Sequence, residues 1–467
     1  MVRRCSAVFL PLVAASLVGC SSAGSVLQHV PPISNSASAG FGTSPRDGAL
    51  GKIKHVIVII QENRSVDNLF NGFCLSTTTC ANTVTKDPVS GKALVPVSLA
   101  APYSPFHDHP SFVQEFDNGK MDGFASNLST CNKPGPCPYT SMAYVPSTET
   151  MLYRKLATVD GILSDMTFEP IQGPSFPSHF YAIAGQSGGY SDPNHYAASG
   201  GDGDCSPNQP SNMPKIDMRT KYPGKNVGYY PPCDDFPTIF DALTANHNTW
   251  KFYSGGSHFW TPTQGIQHLY DPKYKPDGNF AQDVANGQLA DVTFITPFHS
   301  GDSDHPGFVP NPMNGPNWVV SLVNAVGESP FWNSSAVVVY WDDWGGWFDH
   351  VAPPAGPNAK PFRGSFPSWQ GNPDPLEYGF RVPFIVISPY ARVGAIDHTP
   401  RSSVSSLTLI EQAFAIPSMK TLDQFEPDGL DSMMNYSQNP LPYTPVGGAP
   451  VSPRRFYSAP TVAKGKR

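Results

Sequence analysis

The sequence predicts an α/β protein in which a mostly parallel central sheet lies between two layers of helices, a three-layer sandwich with long loop insertions. Short runs rich in β-branched residues recur along the chain, helical patterns separate them, and polar residues follow them directly. Gly (41), Pro (51) and aromatic residues (12%) are frequent and charged residues make up only 14%. This composition indicates long packed connections rather than helical bundles.

The first predicted strand is the continuous apolar run from His55 to Ile60, which is typical of a strand buried on both faces. The other predicted strands are Asp291 to Thr296, Ala336 to Trp341 and Phe384 to Ser388. Helices are predicted at Met151 to Asp160, Phe180 to Gly185, Pro237 to Ala245, Trp318 to Val326 and Ser403 to Ala415. Because strands alternate with helices, ligands are expected at the carboxyl ends of the strands.

The chain is predicted to begin with an export signal peptide over residues 1–19, in which Arg3 and Arg4 precede an apolar stretch. Residues 17–20 are typical of a lipoprotein site acylated at Cys20, and ordinary cleavage after small residues is the alternative. Either way the protein is expected to be exported, as an outer-membrane or cell-surface lipoprotein or as a periplasmic or secreted protein. A flexible tether is predicted over 20–48, one domain over 49–440 and a C-terminal tail over 441–467.

The six cysteines beyond the leader indicate disulfides in an exported protein, and their clustering favours the pairs 74–80, 131–137 and 205–233. Other pairings stay open at this point. A zinc site is disfavoured because no two cysteines have C-x-x-C spacing. The net charge of −7 gives no indication of a nucleic-acid partner.

Polar residues follow two of the predicted strands. Glu62 and Asn63 come after the first, and Asp342 and Asp343 come after the strand that ends at Trp341. Adjacent carboxylates at one sheet edge repel each other, and a divalent cation bound by oxygen ligands commonly offsets that repulsion. A solvated turn at Asp342-Asp343 is the alternative interpretation.

Ser175 lies in Gly173-Pro174-Ser175-Phe176-Pro177, just before a helical pattern. A serine at this position is commonly only a helix N-cap. A helix N-terminus also favours phosphate oxygens, and a metal ion nearby would help a serine hydroxyl to act as a nucleophile. Several histidines, including His109, His305 and His350, also lie in polar surroundings typical of phosphoryl-transfer sites.

Together these segments resemble the phosphoesterase family of bacterial phospholipases C and secreted acid phosphatases, in family order from about residue 52 to 416. The matching segments are His55 to Phe70, Asn118 to Phe124, Gly173 to His179, Ser303 to Pro306, Trp341 to Pro354 and Arg381 to Gly394.

The resemblance implies an alkaline-phosphatase-like fold, a phosphate-ester or phospholipid substrate, a divalent metal ion and a phosphoserine intermediate on Ser175. It further implies roles for two sets of residues. The metal-site residues would be Glu62, Asn63, Ser175, Asp342 and Asp343, and the phosphate-facing or leaving-group residues would be His109, His305 and His350.

The chain departs from the family pattern at the proposed nucleophile. Many phospholipases C have Thr there and Asn-Arg after the proline, whereas this chain has Ser175 and Ser178-His179. The departure favours the acid-phosphatase branch. A sulfatase is disfavoured because the arginine of its Cys/Ser-x-Pro-x-Arg pattern is missing. A lipid-anchored, non-catalytic binding protein on a hydrolase scaffold is the alternative function.

Overall fold

The computed structural model describes residues 51–127, 129–131, 140–190, 204–205, 213–217, 225–230, 233–255, 261–271, 279–298, 301–354, 378–426 and 428–447. The helices are α1 Val66–Leu69, α2 His109–Phe116, α3 Met151–Leu156, α4 Ser175–Ala184, α5 Ile239–Ala245, α6 Phe280–Ala285, α7 Asn314–Gly327 and α8 Ser405–Ala413. The strands are β1 His55–Gln61, β2 Val95–Pro96, β3 Tyr103–Pro105, β4 Ser129–Cys131, β5 Ala143–Tyr144, β6 Gly161–Ser164, β7 Thr167–Phe168, β8 Met213–Asp217, β9 Lys225–Tyr230, β10 Trp250–Tyr253, β11 Val292–Ile295, β12 Ser335–Trp341, β13 Phe384–Ile387, β14 Ile396–Asp397 and β15 Arg401–Ser402.

Within the described part of the chain, seven strands form the central sheet in the order β10-β11-β1-β12-β13-β6-β14. Every neighbouring pair is parallel except the two that include β13, which runs antiparallel to both β12 and β6. The predicted α/β class with a mostly parallel sheet is therefore confirmed. Shorter two-stranded pairs lie outside this sheet.

Strand β1 lies inside the sheet because its sequence offers an apolar side chain to both faces. Val56 to Ile60 are completely buried, with β11 on one side and β12 on the other. Gln61 is the register partner of Trp341 at the ends of β1 and β12. The two residues that follow each strand therefore emerge side by side at one edge of the sheet.

Helices cover both faces of the sheet. Ile57, Val339 and Ile295 face a cluster that includes Trp318 and Val323 of α7, together with apolar residues of α3 and α6. On the opposite face, Phe240 of α5 packs edge-on against Phe294 and Phe252. This alternation produces the predicted three layers.

The four predicted strands and the five predicted helices are present, with shifted ends. The helix predicted from Phe180 begins at Ser175, and the helix predicted to reach Asp160 ends at Leu156. Strands β6, β10 and β14 of the central sheet and helices α1, α2 and α6 were not predicted. β6 is the four-residue Gly161-Ile162-Leu163-Ser164, too short for a recognisable apolar pattern.

Two of the predicted disulfides are present, Cys74–Cys80 and Cys205–Cys233. The predicted pair 131–137 cannot be assigned because residue 137 lies outside the described residues, as do the predicted signal peptide and tether. In the part of the chain that the structure describes, no helix combines the length and apolar character needed to cross a membrane.

The first residues of the predicted C-terminal tail pack against the sheet domain. Leu441 O accepts a hydrogen bond from Trp332 Nε1 (2.8 Å), Thr444 N donates to Asp160 Oδ2 (2.9 Å), and Val446 is buried in the core. The described residues 441–447 are thus attached to the domain, and the predicted domain boundaries stay predictions.

Candidate active site

The site is built at the carboxyl ends of β1 and β12. Asp342 N donates to Gln61 O (2.9 Å), and Asn63 N donates to Asp342 Oδ1 (2.9 Å). Glu62, Asn63, Asp342 and Asp343 are at most 1% exposed. The alternative interpretation of Asp342-Asp343 as a solvated turn is therefore wrong, and the structure brings the four residues together as the sequence predicts.

Helix α4 brings Ser175 to the same place. Pro174 occupies the N-cap position and Ser175 is the first helical residue, with no side-chain capping hydrogen bond at this end of the helix. Ser175 Oγ instead donates to Asp343 Oδ2 (2.8 Å) and accepts from Asn63 Nδ2 (3.0 Å). The N-cap interpretation of Ser175 is thus wrong, because its hydroxyl faces the carboxylates.

The turn after Asp343 requires glycine. Gly345 has a φ of +64°, and a Cβ placed on it would lie 2.2 Å from Asn63 O. Its backbone N donates to Asp343 Oδ1 (2.7 Å). The absence of a side chain at 345 therefore allows the turn to close over Asn63 while it fixes the Asp343 carboxylate.

His179, which sequence reasoning had noted only as a departure from the family pattern, also belongs to the cluster. It is 1% exposed, and its Nε2 lies 3.4 Å from Glu62 Oε1 and 3.4 Å from Asp342 Oδ2. The pattern that could have revealed it is its position four residues after Ser175, since residues i and i+4 share one face of a helix.

The buried carboxylates perturb one another strongly. Burial and the charge of Asp342 raise the pKa of Glu62 to about 8, and the same two causes raise the pKa of Asp343 well above its ordinary value. Burial works against ionisation of Asp342, yet its contacts with His179 hold its pKa below the usual range. Burial lowers the pKa of His179, but Asp342 and Glu62 outweigh it and raise that pKa to about 10.

These residues fit a divalent cation. Glu62 Oε1 and Oε2, Asn63 Oδ1 and Asp342 Oδ2 are buried, and none accepts a hydrogen bond from any residue in the described ranges. Buried carboxylate oxygens without donors are costly unless a cation meets them. Oxygen ligands of this type suit Mg²⁺, Mn²⁺ or Ca²⁺, and with a nitrogen ligand also Zn²⁺.

The predicted histidines lie at different distances from this cluster. His109 Nδ1 donates to Gln172 O (2.6 Å), three residues before Ser175, and burial lowers the pKa of His109. His305 Nδ1 donates to Pro306 O (2.8 Å), and burial and nearby His107 lower its pKa to about 3, although Asp342 acts in the other direction. Both imidazoles are therefore neutral at pH 7.

His350 lies in a second polar cluster. Asp67 Oδ2 accepts from His350 Nδ1 (2.6 Å), while Arg381 holds Asp349 through Nε (2.8 Å) and Nη2 (3.1 Å). Although Asp67, Asp349 and His350 could converge on a metal, the Arg381 guanidinium already supplies a positive charge there. The contacts known among the described residues do not connect His350 to Ser175, so the predicted leaving-group role stays a prediction.

Glu169, which sequence reasoning did not identify, is a further buried carboxylate near the site. It is completely buried, and neither of its oxygens accepts a hydrogen bond from the residues that the structure describes. Burial, followed by the charges of Asp343 and Asp342, raises the pKa of Glu169 well above its ordinary value. Gly379 closes over it, since a Cβ there would lie 2.4 Å from Glu169 Oε2. Glu169 is thus expected to be protonated in the folded protein.

The model of the Phosphoesterase family matches residues 53–417. Phospholipase C B of Mycobacterium tuberculosis is 26% identical over 92% of this chain and 86% of its own length, and phospholipase C A of the same organism is 25% identical over 86% and 80%. A crystal structure from Vibrio parahaemolyticus, described as a protein in the alkaline phosphatase superfamily, covers 81% of this chain and 71% of its own at 11% identity, with a TM-score of 0.33. At this TM-score the similarity carries no argument about the fold, and the α/β class rests on the order of the strands in the central sheet.

Substitution of Glu169 by Gln is predicted to stabilise the fold increasingly as pH rises. The folded protein keeps the Glu169 proton at pH values where the unfolded chain has released it, so this carboxyl lowers stability as pH rises above about 4.3. A glutamine side chain has nearly the same shape as glutamic acid but does not titrate, so it does not lower stability as pH rises. Urea unfolding at pH 5 and pH 8 should show the advantage of the variant growing by on the order of 1 kcal/mol. Exposed Glu328→Gln is the control, and a variant destabilised equally at both pH values would contradict the protonated state.

Proposed function

The chain belongs to the Phosphoesterase family and is a phosphoric ester hydrolase, and we propose that Ser175 is the nucleophile of its metal-dependent reaction. In the proposed reaction Ser175 Oγ forms a bond to phosphorus as the ester P–O bond breaks. The alcohol leaves with a proton, and water then hydrolyses the phosphoserine.

The observation that carries this proposal is the position of Ser175 Oγ at the N-terminus of α4, 2.8 Å from Asp343 Oδ2. Asp343 accepts the hydrogen bond of the hydroxyl, so it is positioned to take the proton. The backbone N–H groups at the start of α4 favour the oxygens of a phosphoryl group bound there. A divalent cation held by Glu62, Asn63, Asp342 and Asp343 would lower the hydroxyl pKa and neutralise phosphate charge.

His350 is the proposed donor to the leaving alcohol. Its ring contacts a carboxylate, since Nδ1 donates to Asp67 Oδ2 (2.6 Å). A carboxylate on Nδ1 fixes the tautomer and the orientation of the ring, which leaves Nε2 to act on the substrate. His109 and His305, as neutral imidazoles, are better suited to orient the phosphate than to protonate it.

The proposed substrates are phosphate mono- or diesters, including phospholipid headgroups. The two mycobacterial relatives named phospholipase C support this breadth, because the alignments cover most of each chain. Ser175 in place of Thr favours a phosphomonoesterase instead, which is the second candidate. A non-catalytic binding function is not proposed, since every polar position of the family pattern is filled in this chain.

Ser175→Ala is predicted to abolish turnover while the protein stays folded, because loss of one buried hydrogen bond to a carboxylate costs about 1–3 kcal/mol, less than the stability of a typical domain. Acid quenching of the wild type with ³²P-labelled substrate should trap a phosphoprotein, and the variant should trap none. Ser405→Ala is the matched control, since Ser405 is likewise the first residue of a helix, α8, and buried. Full labelling of Ser175→Ala would exclude the serine as nucleophile.

Removal of divalent metal by a chelator is predicted to abolish hydrolysis, and re-addition of the metal should restore it. The assay should use p-nitrophenyl phosphate, bis-p-nitrophenyl phosphate and phosphatidylcholine. A diester preference would support the phospholipase C assignment, and turnover of the monoester alone would support a phosphomonoesterase. Full activity of protein shown by elemental analysis to be metal-free would contradict the proposal.

His350→Ala is predicted to lose substantially more kcat/KM on an alkyl phosphate than on p-nitrophenyl phosphate, with metal content retained. A good leaving group needs little protonation, so removal of the proton donor should cost it least. Steady-state kinetics on both substrates provide the test. Equal losses would reduce His350 to a positioning role in the cluster with Asp67 and Arg381.

A further inference from the structure

Helix α4 presents two functional groups to the buried carboxylates. Ser175 and His179 are four residues apart and lie on one face of the helix. The hydroxyl of Ser175 contacts Asp343, while His179 Nε2 lies 3.4 Å from both Glu62 Oε1 and Asp342 Oδ2. One helix therefore brings an imidazole nitrogen to carboxylate oxygens that accept no hydrogen bond from the described residues.

Glu62, His179 and Asp342 are arranged as ligands around a common point. Each offers one ligand atom, and these atoms all lie within 4.8 Å of one another in a fully buried setting. Distances of 3.4 Å are longer than the roughly 2.7–2.9 Å of a charge-assisted N–H···O hydrogen bond. The spacing is what three ligands about 2.0–2.2 Å from one ion produce.

We propose that His179 is a nitrogen ligand of the divalent cation at the Ser175 site, together with Glu62 and Asp342. The inference rests on the proposed function only in that both use the same cation. Imidazole nitrogen is a poor ligand for Ca²⁺ and Mg²⁺ and a good one for Zn²⁺, Cu²⁺ and Fe²⁺. The site therefore selects a transition metal.

The competing interpretation is that a protonated His179 takes the place of a metal ion. Geometry disfavours it, because His179 Nε2 lies 3.4 Å from both Glu62 Oε1 and Asp342 Oδ2, farther than the donor and acceptor of a charge-assisted hydrogen bond. A single Nε2–H also cannot make good hydrogen bonds to two carboxylates, and it leaves Glu62 Oε2 without a donor from the described residues. A divalent ion would explain the distances from Nε2 and would also bind the Glu62 oxygens that lack a donor.

The test begins with metal binding to chelator-treated full-length protein. Isothermal titration with Zn²⁺ and with Mg²⁺ should show that His179→Gln weakens Zn²⁺ binding at least tenfold and changes Mg²⁺ binding by less than about twofold. His179→Arg, which keeps a positive charge but offers no ligand, should lose Zn²⁺ to the same extent. An Arg variant that binds Zn²⁺ as tightly as the wild type would overturn the proposal.

A spectroscopic measurement on the wild-type protein tests the ligand assignment independently of how well the variants fold. Pulsed EPR of the wild type loaded with Cu²⁺ should show the remote-nitrogen modulation of a coordinated imidazole, and [¹⁵N]histidine labelling should alter it. His109→Gln and His305→Gln should keep the modulation, and His179→Gln should lose it. Bound Cu²⁺ without the modulation in the wild type would overturn the proposal.

The two proposals fail separately. Imidazole coordination without a trapped phosphoserine would leave the ligand assignment intact and refute the nucleophile. A trapped phosphoserine with no imidazole on the metal would do the reverse.

Discussion

The site depends on one electrostatic constraint, the burial of Glu62, Asp342 and Asp343 within one small volume. Two parallel strands joined by hydrogen bonds end in register, so the carboxylates that follow them cannot move apart. Mutual repulsion in a low-dielectric setting is expensive, and the raised pKa values of Glu62 and Asp343 express it. The surrounding polar groups reduce this cost: Asn63, Ser175 and Gly345 donate to Asp343, and His179 lies against Glu62 and Asp342.

The remaining scaffold holds that arrangement rigid. Arg64, the residue after Asn63, donates through Nε and Nη2 to Asp304 O, and Gln61 Oε1 accepts from Asp304 N. The Asp304 carboxylate in turn receives hydrogen bonds from Tyr153 and Trp341. Such a buried network fixes the chain on both sides of Glu62 and Asn63, and its groups are satisfied largely by one another.

The sequence predicted the parts of the fold whose pattern is local. The buried run Val56 to Ile60 and the Val-rich run in β12 are unambiguous as strands, and the polar residues after them led directly to Glu62, Asn63, Asp342 and Asp343. Ser175 was predicted because its helix-start context coincides with a family motif. These residues converge because parallel strands end at the same edge, a rule that needs no tertiary information.

Other features depend on contacts between distant segments and could not be read locally. The antiparallel direction of β13 follows from its pairing with β12 and β6 rather than from its apolar sequence. Glu169 is buried, and its pKa is raised, because Gly379 and Phe380 pack over it although they lie far along the chain. His350 was expected at the phosphoryl group, and its contact with Asp67 depends on how residues 344–350 turn after two glycines.

The pairing of residues 167–169 with residues 379–382 also determines when the site can exist during synthesis. Glu169 N donates to Phe380 O, Gly379 N to Glu169 O and Val382 N to Thr167 O. The segment that leads into Ser175 is thus held by residues made more than two hundred positions later. A nascent chain that has reached residue 340 contains Glu62 and Ser175. It does not yet contain Asp342 and Asp343, or the residues 379–382 that pair with residues 167–169. The candidate site therefore cannot assemble before residues 379–382 have been made, so a shorter nascent chain lacks the complete arrangement around Ser175.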